Sequence, residues 1–349
     1  MSGRPFGARR YSDVLSEGLR YIDDRRHGRI KSIKTPWAGF NKAGVGGLEW
    51  GSMLTIGARP GAGKTLIVSQ LLRESRIINP GQEFNILEFQ FEMGPKQSSS
   101  RAFAAEMTLD YNVVLSTDKQ LDDFIFDRMK DFQHDQKALE SYGTIREVIS
   151  EPLTHHDVRK AAHYWYKDMG SKPMIMTIDH SWLFKRAPDE KEKLNTLYNA
   201  VEMLMQLKKE LPVIIIMVTQ LNRNLEEPLR KTPGTIGNYP TSSDVFGGDA
   251  LMQGSDMLVA LSRPAKNDIA VYGPKGYLVK TDDIFMHLLK VRNGADDVTA
   301  LFMKAEFQKQ RMIEVSEPAC SNPSGGGFRR LSQRQQTTVS NDIDLNSIS

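Results

Sequence analysis

The sequence has one cysteine, Cys320, in 349 residues, which excludes an intrachain disulfide and a cysteine-rich zinc site. A reducing compartment, the cytoplasm (a host's cytoplasm if the chain is phage-encoded), fits that usage. No apolar stretch approaches the roughly 18–20 residues of a membrane span, and the longest candidate, Leu211 to Val218, contains a proline and is strand-sized. Met1 to Arg10 is basic but no apolar segment follows, so neither a secretory leader nor a membrane partner is expected. An excess of one charge is also missing. The 46 basic and 43 acidic residues leave a formal net charge of +3, too little to announce a nucleic-acid binder, although a local basic channel fits within it. Histidine is scarce, and His155, His156 and His163 share a predicted helix without paired carboxylates or cysteines nearby, so no metal site is expected there. The 40% hydrophobic content is ample for one large domain or two.

What is present starts at residues 57–65, Gly57-Ala58-Arg59-Pro60-Gly61-Ala62-Gly63-Lys64-Thr65, set between the apolar runs Met53–Ile56 and Leu66–Leu72. A strand, a glycine-rich loop and a helix in that order form a phosphate loop, here in relaxed form because Ala58 holds the first motif position. Small residues let backbone N–H groups curl around phosphates. Lys64 supplies a cation to the β and γ oxygens, Thr65 a hydroxyl to Mg²⁺, and the helix its positive N-terminal end. ATP and Mg²⁺ are the implied cofactors.

From Met53 to about Met312 short apolar runs alternate with helical stretches, which predicts an α/β fold with a mostly parallel sheet flanked by helices. Predicted strands are Met53–Ile56, Asn85–Phe91, Met174–Ile178, Val213–Thr219, Met257–Leu261, Ile284–Val291 and Val298–Met303, the last two joined at Asn293-Gly294 as a C-terminal β-hairpin. Predicted helices are Pro95–Met107, Thr117–Ser141, His155–Asp168 and Lys191–Glu210, with Phe124 and Phe132 as core positions. Asn222 to Ser255 reads as a long functional loop. Residues 1–30 read as an arm whose helix, capped by Ser12 and running to Arg26, carries an apolar stripe of Val14, Leu15, Leu19 and Ile22. That stripe must bury, against its own core or a neighbouring subunit. The α/β domain is thus expected over 31–316, followed by a disordered tail over 317–349 rich in Pro, Ser, Gly, Gln and Asn.

Hydrolysis of a nucleotide requires a metal anchor, a water activator and a group that senses the γ-phosphate. Asp179 ends an apolar strand where it would complete a Mg²⁺ shell, or simply start a turn. Glu92 ends another strand, placed either to polarise water or to cap the next helix. Gln220 closes the run Val213–Thr219, where its amide suits phosphate sensing without fixing a metal. His180 follows Asp179 and either influences the site or, the safer reading, packs. Lys290 and Arg292, two apart on a predicted strand, share a face. They would either discourage edge aggregation or reach the nucleotide of an adjacent subunit.

In order, the motifs are Gly46-Gly47-Leu48, Ala58 to Thr65, Phe91-Glu92-Met93, Leu153-Thr154 with Val158-Arg159, Ile178-Asp179, Thr219-Gln220-Leu221-Asn222-Arg223 and Lys290-Val291-Arg292-Asn293-Gly294. Over roughly residues 30–313 this ensemble resembles the RecA-like motor domain of replicative DNA helicases of the DnaB type. The resemblance implies a homo-oligomeric ring, usually a hexamer, that encircles single-stranded DNA and unwinds forked duplex 5′ to 3′ as ATP is hydrolysed between subunits. It assigns Lys64 and Thr65 to phosphate and Mg²⁺, Glu92 to water activation, Asp179 to the metal, Gln220 to sensing, and Lys290 and Arg292 to action in trans. The helix over Tyr11–Arg26 then grips the next subunit. A loader and other replication partners belong to the same expectation. The family's separate N-terminal domain has no counterpart here, which turns the expectation away from primase coupling and toward a compact phage-like or plasmid-like version. Ser243 to Asp256 resembles the DNA-facing loop, carrying Phe246, Gly247 and Gly248 where many members place charge, with Lys231 in the preceding insertion as an added cation. A filament-forming recombination ATPase and an ATP-gated loader or scaffold are the competing expectations.

Overall fold

Apolar runs with alternating destinations organise the molecule, whose computed structural model describes residues 8–232, 238–294 and 299–321. The first half comprises α1 (Tyr11–Arg26), α2 (Ala38–Ala43), β1 (Met53–Ala58), α3 (Lys64–Ile78), β2 (Asn85–Gln90), α4 (Pro95–Met107), α5 (Tyr111–Val114), α6 (Asp123–Ser141) and β3 (Arg146–Ile149). Then come α7 (His155–Asp168), β4 (Met174–Asp179), α8 (Lys193–Glu210), β5 (Val213–Gln220), α9 (Gly248–Gly254) and β6 (Met257–Ser262). The last part is antiparallel: β7 (Val271–Tyr272) pairs with β8 (Tyr277–Leu278), and β9 (Asp283–Val291), β10 (Ala300–Glu306) and β11 (Arg311–Val315) extend the main sheet.

The nine-stranded sheet has the order β11-β10-β9-β6-β1-β5-β4-β2-β3. Strands β1 to β6 within it pair in parallel, and β9 joins β6 antiparallel. Successive strand residues point to opposite faces, so Leu54, Ile56, Ile214, Ile216 and Val218 pack with α3 on one side. Met53, Met176, Ile178, Ile215 and Met217 pack with α7 and α8 on the other. A strand buried on both faces can be apolar throughout, which is why Val213 to Val218 shows no alternation.

Several expectations are corrected. Among the described residues β9 lies between β6 and β10, but β10 pairs only with Asp283 to His287 of β9, so Lys290 and Arg292 stand beyond that pairing. The C-terminal hairpin gains a third strand, β11, fixed by the Trp37 indole donating to the Met312 carbonyl at 2.9 Å and the Met312 amide donating to Gln70 at 2.6 Å. The strand expected from Val298 starts at Ala300, with residues 295–298 outside the described residues. Helix α6 begins at Asp123 rather than Thr117, because the Asp122 carboxylate caps it through the Phe124 amide at 2.9 Å. Phe124 is exposed and Phe132 packs edge-on against Phe103, so neither is a core position. The long loop contains α9.

Ser12 is not the cap of α1. Arg10 occupies that position without a side-chain bond, and the helix buries no residue. Val14, Leu15, Leu19 and Ile22 are all exposed, Leu19 at 71%, so the stripe does not pack on its own core. In the tail, Glu317 accepts from Lys275 at 2.8 Å and from the Tyr277 hydroxyl at 2.5 Å, and Cys320 bridges to Tyr277. The first residues after 316 are therefore held, and the rest of the tail, from 322, lies outside the described residues.

Candidate nucleotide site

Parallel register brings the predicted residues together. Ala58, the last residue of β1, lies opposite Gln220 of β5, and Asp179 of β4 lies opposite Gln90 of β2. Two residues beyond β2 stands Glu92, its turn fixed by the Phe91 amide donating to the Asp179 carbonyl at 2.8 Å. The loop after β1 enters α3 through Gly63 at φ +94°, a left-handed conformation that favours glycine. Around it opens a cleft of about 630 Å³ lined by Pro60, Gly61, Gly63, Lys64, Thr65, Glu92, Arg101, Tyr111, Gln220 and Phe307. Asp179 borders an adjoining smaller cavity that shares Thr65 and Arg101 with this cleft.

Burial lowers the proton affinity of Lys64, against the opposing pull of the Asp179 and Glu92 carboxylates. Burial and then the Glu92 charge push the Asp179 carboxyl up to about 6, with Lys64 and Arg101 opposing. Its Oδ1 is buried without a hydrogen-bond partner among the described residues. A buried, unpartnered carboxylate oxygen beside a threonine hydroxyl and a lysine suits a hard cation bound with phosphates. The residues thus fit Mg²⁺ with ATP: Thr65 and Asp179 to hold the ion, Lys64 and the loop backbone to hold phosphate.

Not every motif side chain faces the cleft. Arg59 turns from the phosphate loop to the segment after β5, donating to Glu226 at 2.6 Å and to the Leu221 carbonyl at 3.0 Å. Lys231 lines a second cleft of about 410 Å³, with Arg59, Glu226, Arg263 and Lys266, on the other flank of the loop. It is not grouped with Phe246, Gly247 and Gly248. Those three follow the Gln220 strand end, with the Phe246 amide donating to the Gln220 carbonyl at 3.0 Å and its ring edge-on to Trp182 at 4.2 Å. Gly247 sits at φ +69°, where an added Cβ would come within 2.1 Å of Leu197 Cδ2. The left-handed backbone and the packing of Leu197 together favour glycine there, with no DNA contact needed to explain it.

Lys290 and Arg292 lie at the opposite end of the sheet. The pairing of Leu258 with Lys290 and of Met257 with Val291 places them beside the start of β6, whereas the phosphate loop follows the end of β1. Lys290 donates to the Met252 carbonyl. Arg292 pairs with Asp256 at 3.0 Å and donates to the Gln253 carbonyl at 3.2 Å. Asp256 also accepts from the Met53 amide, at 2.8 Å, and pairs with Lys208. A six-residue parallel strand, roughly 20 Å long, separates Arg292 from the site of its own chain.

Residues beyond the sequence reading also converge here. His180, read as packing, is 5% exposed, with Nε2 at 3.4 Å from the Gln220 amide nitrogen and 3.9 Å from Glu92 Oε2. The Arg263 guanidinium lies over the Phe307 ring at 4.2 Å and donates to the Gly61 carbonyl at 3.3 Å. Arg263 follows the end of β6 much as Gln220 ends β5, so the strand-end rule applied to every parallel strand finds it. No sequence signal marks Phe307.

The sequence model of the DnaB-like helicase C-terminal domain family matches residues 32–311. The replicative DNA helicase DnaB of Haemophilus influenzae is 24% identical over 261 residues, covering 74% of this chain and 52% of that protein. For the Helicobacter pylori DnaB the values are 25% over 311 residues, 87% and 57%. The chain spans little more than half the length of these curated relatives. A solved DnaB-like replicative helicase, described with its interactions with primase, superposes with a TM-score of 0.69 at 15% identity, over 88% of this chain and 68% of that one. A second solved structure, an ATPase domain, superposes with a TM-score of 0.69 at 16% identity, over 86% of this chain and 99% of that one. These likenesses give the RecA-like ATPase fold. Phosphate loop, strand-end acids and strands β1 to β10 all fall inside the matched region, and the chain belongs to the DnaB-like helicase C-terminal domain family.

Proposed function

We propose that the protein is an ATP-driven DNA helicase motor that translocates on single-stranded DNA. The observation that carries this reading is the convergence of Lys64, Thr65, Glu92 and Gln220 on one cleft, with Asp179 beside it and Arg292 a strand's length away. Residues 31–316 form the motor, and 8–30 the arm.

The loop backbone and Lys64 bind the β and γ phosphates, and the Arg263–Phe307 pair offers planar faces to the base. Glu92, whose side chain is half exposed to the cleft, orients and deprotonates the attacking water. Magnesium, bound with the nucleotide by Thr65 and Asp179, neutralises charge on the phosphates. Gln220 donates to a γ-phosphate oxygen, and its main chain holds the loop of Phe246, Gly247 and Gly248, so loss of phosphate is felt where DNA is contacted. Lys290 and Arg292 serve the site of a neighbouring subunit. The exposed stripe of α1 covers part of that neighbour, which supports a closed ring of identical subunits, taken as a hexamer.

Unwinding of forked DNA with either single-stranded tail removed tests motor activity and polarity together. Expected is ATP-dependent strand separation that requires the 5′ tail. Helical filaments on DNA without strand separation would replace this reading with a recombination ATPase. Turnover indifferent to DNA would leave a loader or scaffold.

A further inference from the structure

We infer that His180 is a positioning residue of the hydrolysis site, holding the Gln220 amide with its donor toward the cleft and steering the Glu92 carboxylate. The inference rests on the proposed hydrolytic role of that cleft. His180 closes the turn after β4, and its two ring nitrogens face different partners. Nδ1 accepts from the Trp182 amide at 3.3 Å. In the neutral ring one nitrogen accepts and the other donates, so the proton resides on Nε2.

That proton points between two site residues: Nε2 is 3.4 Å from the Gln220 amide group and 3.9 Å from Glu92 Oε2. The oxygen and nitrogen of a glutamine amide exchange places by a half-turn, and the hydrogen-bond network decides between them. An N–H facing the amide selects its oxygen. The amide nitrogen of Gln220 is then directed away from His180 and left to donate into the cleft that Gln220 lines. A γ-phosphate oxygen needs a donor in that place, not an acceptor. The same N–H attracts the Glu92 carboxylate, whose side chain is otherwise half exposed and would sample several rotamers.

A histidine serving only as a turn cap would need Nδ1 and nothing on its far edge. Here the far edge reaches the ends of two other strands, β5 and β2, from a side chain that is 6% exposed. Ser181 adds a second tie, donating to the Thr219 hydroxyl at 3.0 Å immediately before Gln220. The β4 turn therefore sets the spacing between sensor and base.

Two substitutions in the full chain separate the roles. His180→Asn retains an acceptor near Nδ1 for the Trp182 amide and removes the group at Nε2. His180→Gln places an amide donor near Nε2. The expected result is a kcat for ATP lowered about tenfold or more by Asn, with ATP affinity within about twofold of the parent, and recovery by Gln to within about threefold. Equilibrium binding of a fluorescent ATP analogue and thermal melting accompany the kinetics. Wild-type turnover in the Asn variant, or parallel loss of turnover, affinity and melting temperature in both variants, overturns the inference. Nitrogen-15 NMR of the parent protein reads the tautomer without any substitution, and a proton on Nδ1 would equally overturn it. Parent turnover and its loss in Glu92→Gln, measured in the same assay, test the proposed function separately. A parent without turnover sinks that function, whereas a fully active Asn variant beside an inactive Glu92→Gln sinks only the role of His180.

Discussion

Replacing Asp179 by Asn should make the nucleotide-free protein more stable at neutral pH while removing its magnesium-dependent activity. Burial and the neighbouring Glu92 raise the Asp179 carboxyl from its ordinary 3.8 to about 6. At about 1.4 kcal/mol per decade of proton affinity, the charged form costs the folded state roughly 3 kcal/mol. An acid whose folded pKa is raised binds its proton more tightly when folded, so by linkage its cost is absent below the unfolded pKa, grows between about 4 and 6, and is complete above. Asn carries no such cost, and the attraction of Lys64 for the charged form is already contained in that value, so the expected gain rises to about 3 kcal/mol above pH 7. The assay is urea denaturation of parent and Asp179→Asn in the presence of a chelator, at intervals from pH 5 to pH 8. The advantage of the variant should be about half developed at pH 5 and level off above pH 7. Saturating ATP with magnesium should reverse it, because a ligand that binds only the folded parent adds to its stability. A variant less stable than the parent at pH 7.5, or a difference that ignores pH, would refute the reasoning.

Lys64→Ala should lose productive nucleotide binding, read by titration calorimetry, because it removes the buried cation of the cleft. For Arg292→Ala, the exposed pair with Asp256 contributes at most about 1 kcal/mol, so melting should barely move. Doping the variant into parent protein should lower ATP hydrolysis more steeply than its mole fraction, and a strictly proportional fall would give Arg292 a local role instead. Leu19→Asp, on a side chain 71% exposed, should leave the melting of isolated subunits unchanged and shift the assembled species to smaller mass in light scattering. Gly247→Ala should destabilise by about 1–3 kcal/mol, from its positive φ and its collision with Leu197, read by chemical denaturation.

Most of the parallel part of the sheet was legible because buried strands are written as apolar runs, and β2, β4 and β5 each end in a polar residue. Asp179, Gln220 and Glu92 were found by that rule, and the registers then place them around one cleft. Strands β3 and β11 were not legible, since Arg146-Glu147-Val148-Ile149 and Arg311 to Val315 mix charge with apolar residues on the two outer strands. Two contacts were invisible for a different reason. The Arg59–Glu226 and Arg263–Phe307 pairs each join segments far apart in sequence, and neither residue type nor spacing announces a partner. For His180 a site role and a packing role could not be separated in the sequence, because nothing around it announces the partners of its two ring nitrogens. Lys290 and Arg292 reach the Met252 and Gln253 carbonyls of the segment before β6, contacts that strand alternation does not announce.

One carboxylate, Asp256, receives the first amide of the phosphate-loop strand and the guanidinium of Arg292. Base of strand and guanidinium are therefore clamped to one fixed point, and β1 acts as a ruler between the phosphate loop and Arg292. In the proposed ring, the pitch from one nucleotide to the next would be gauged by six residues of strand, and a shift of the phosphate loop along that axis would displace the cation offered to the neighbour by a comparable amount.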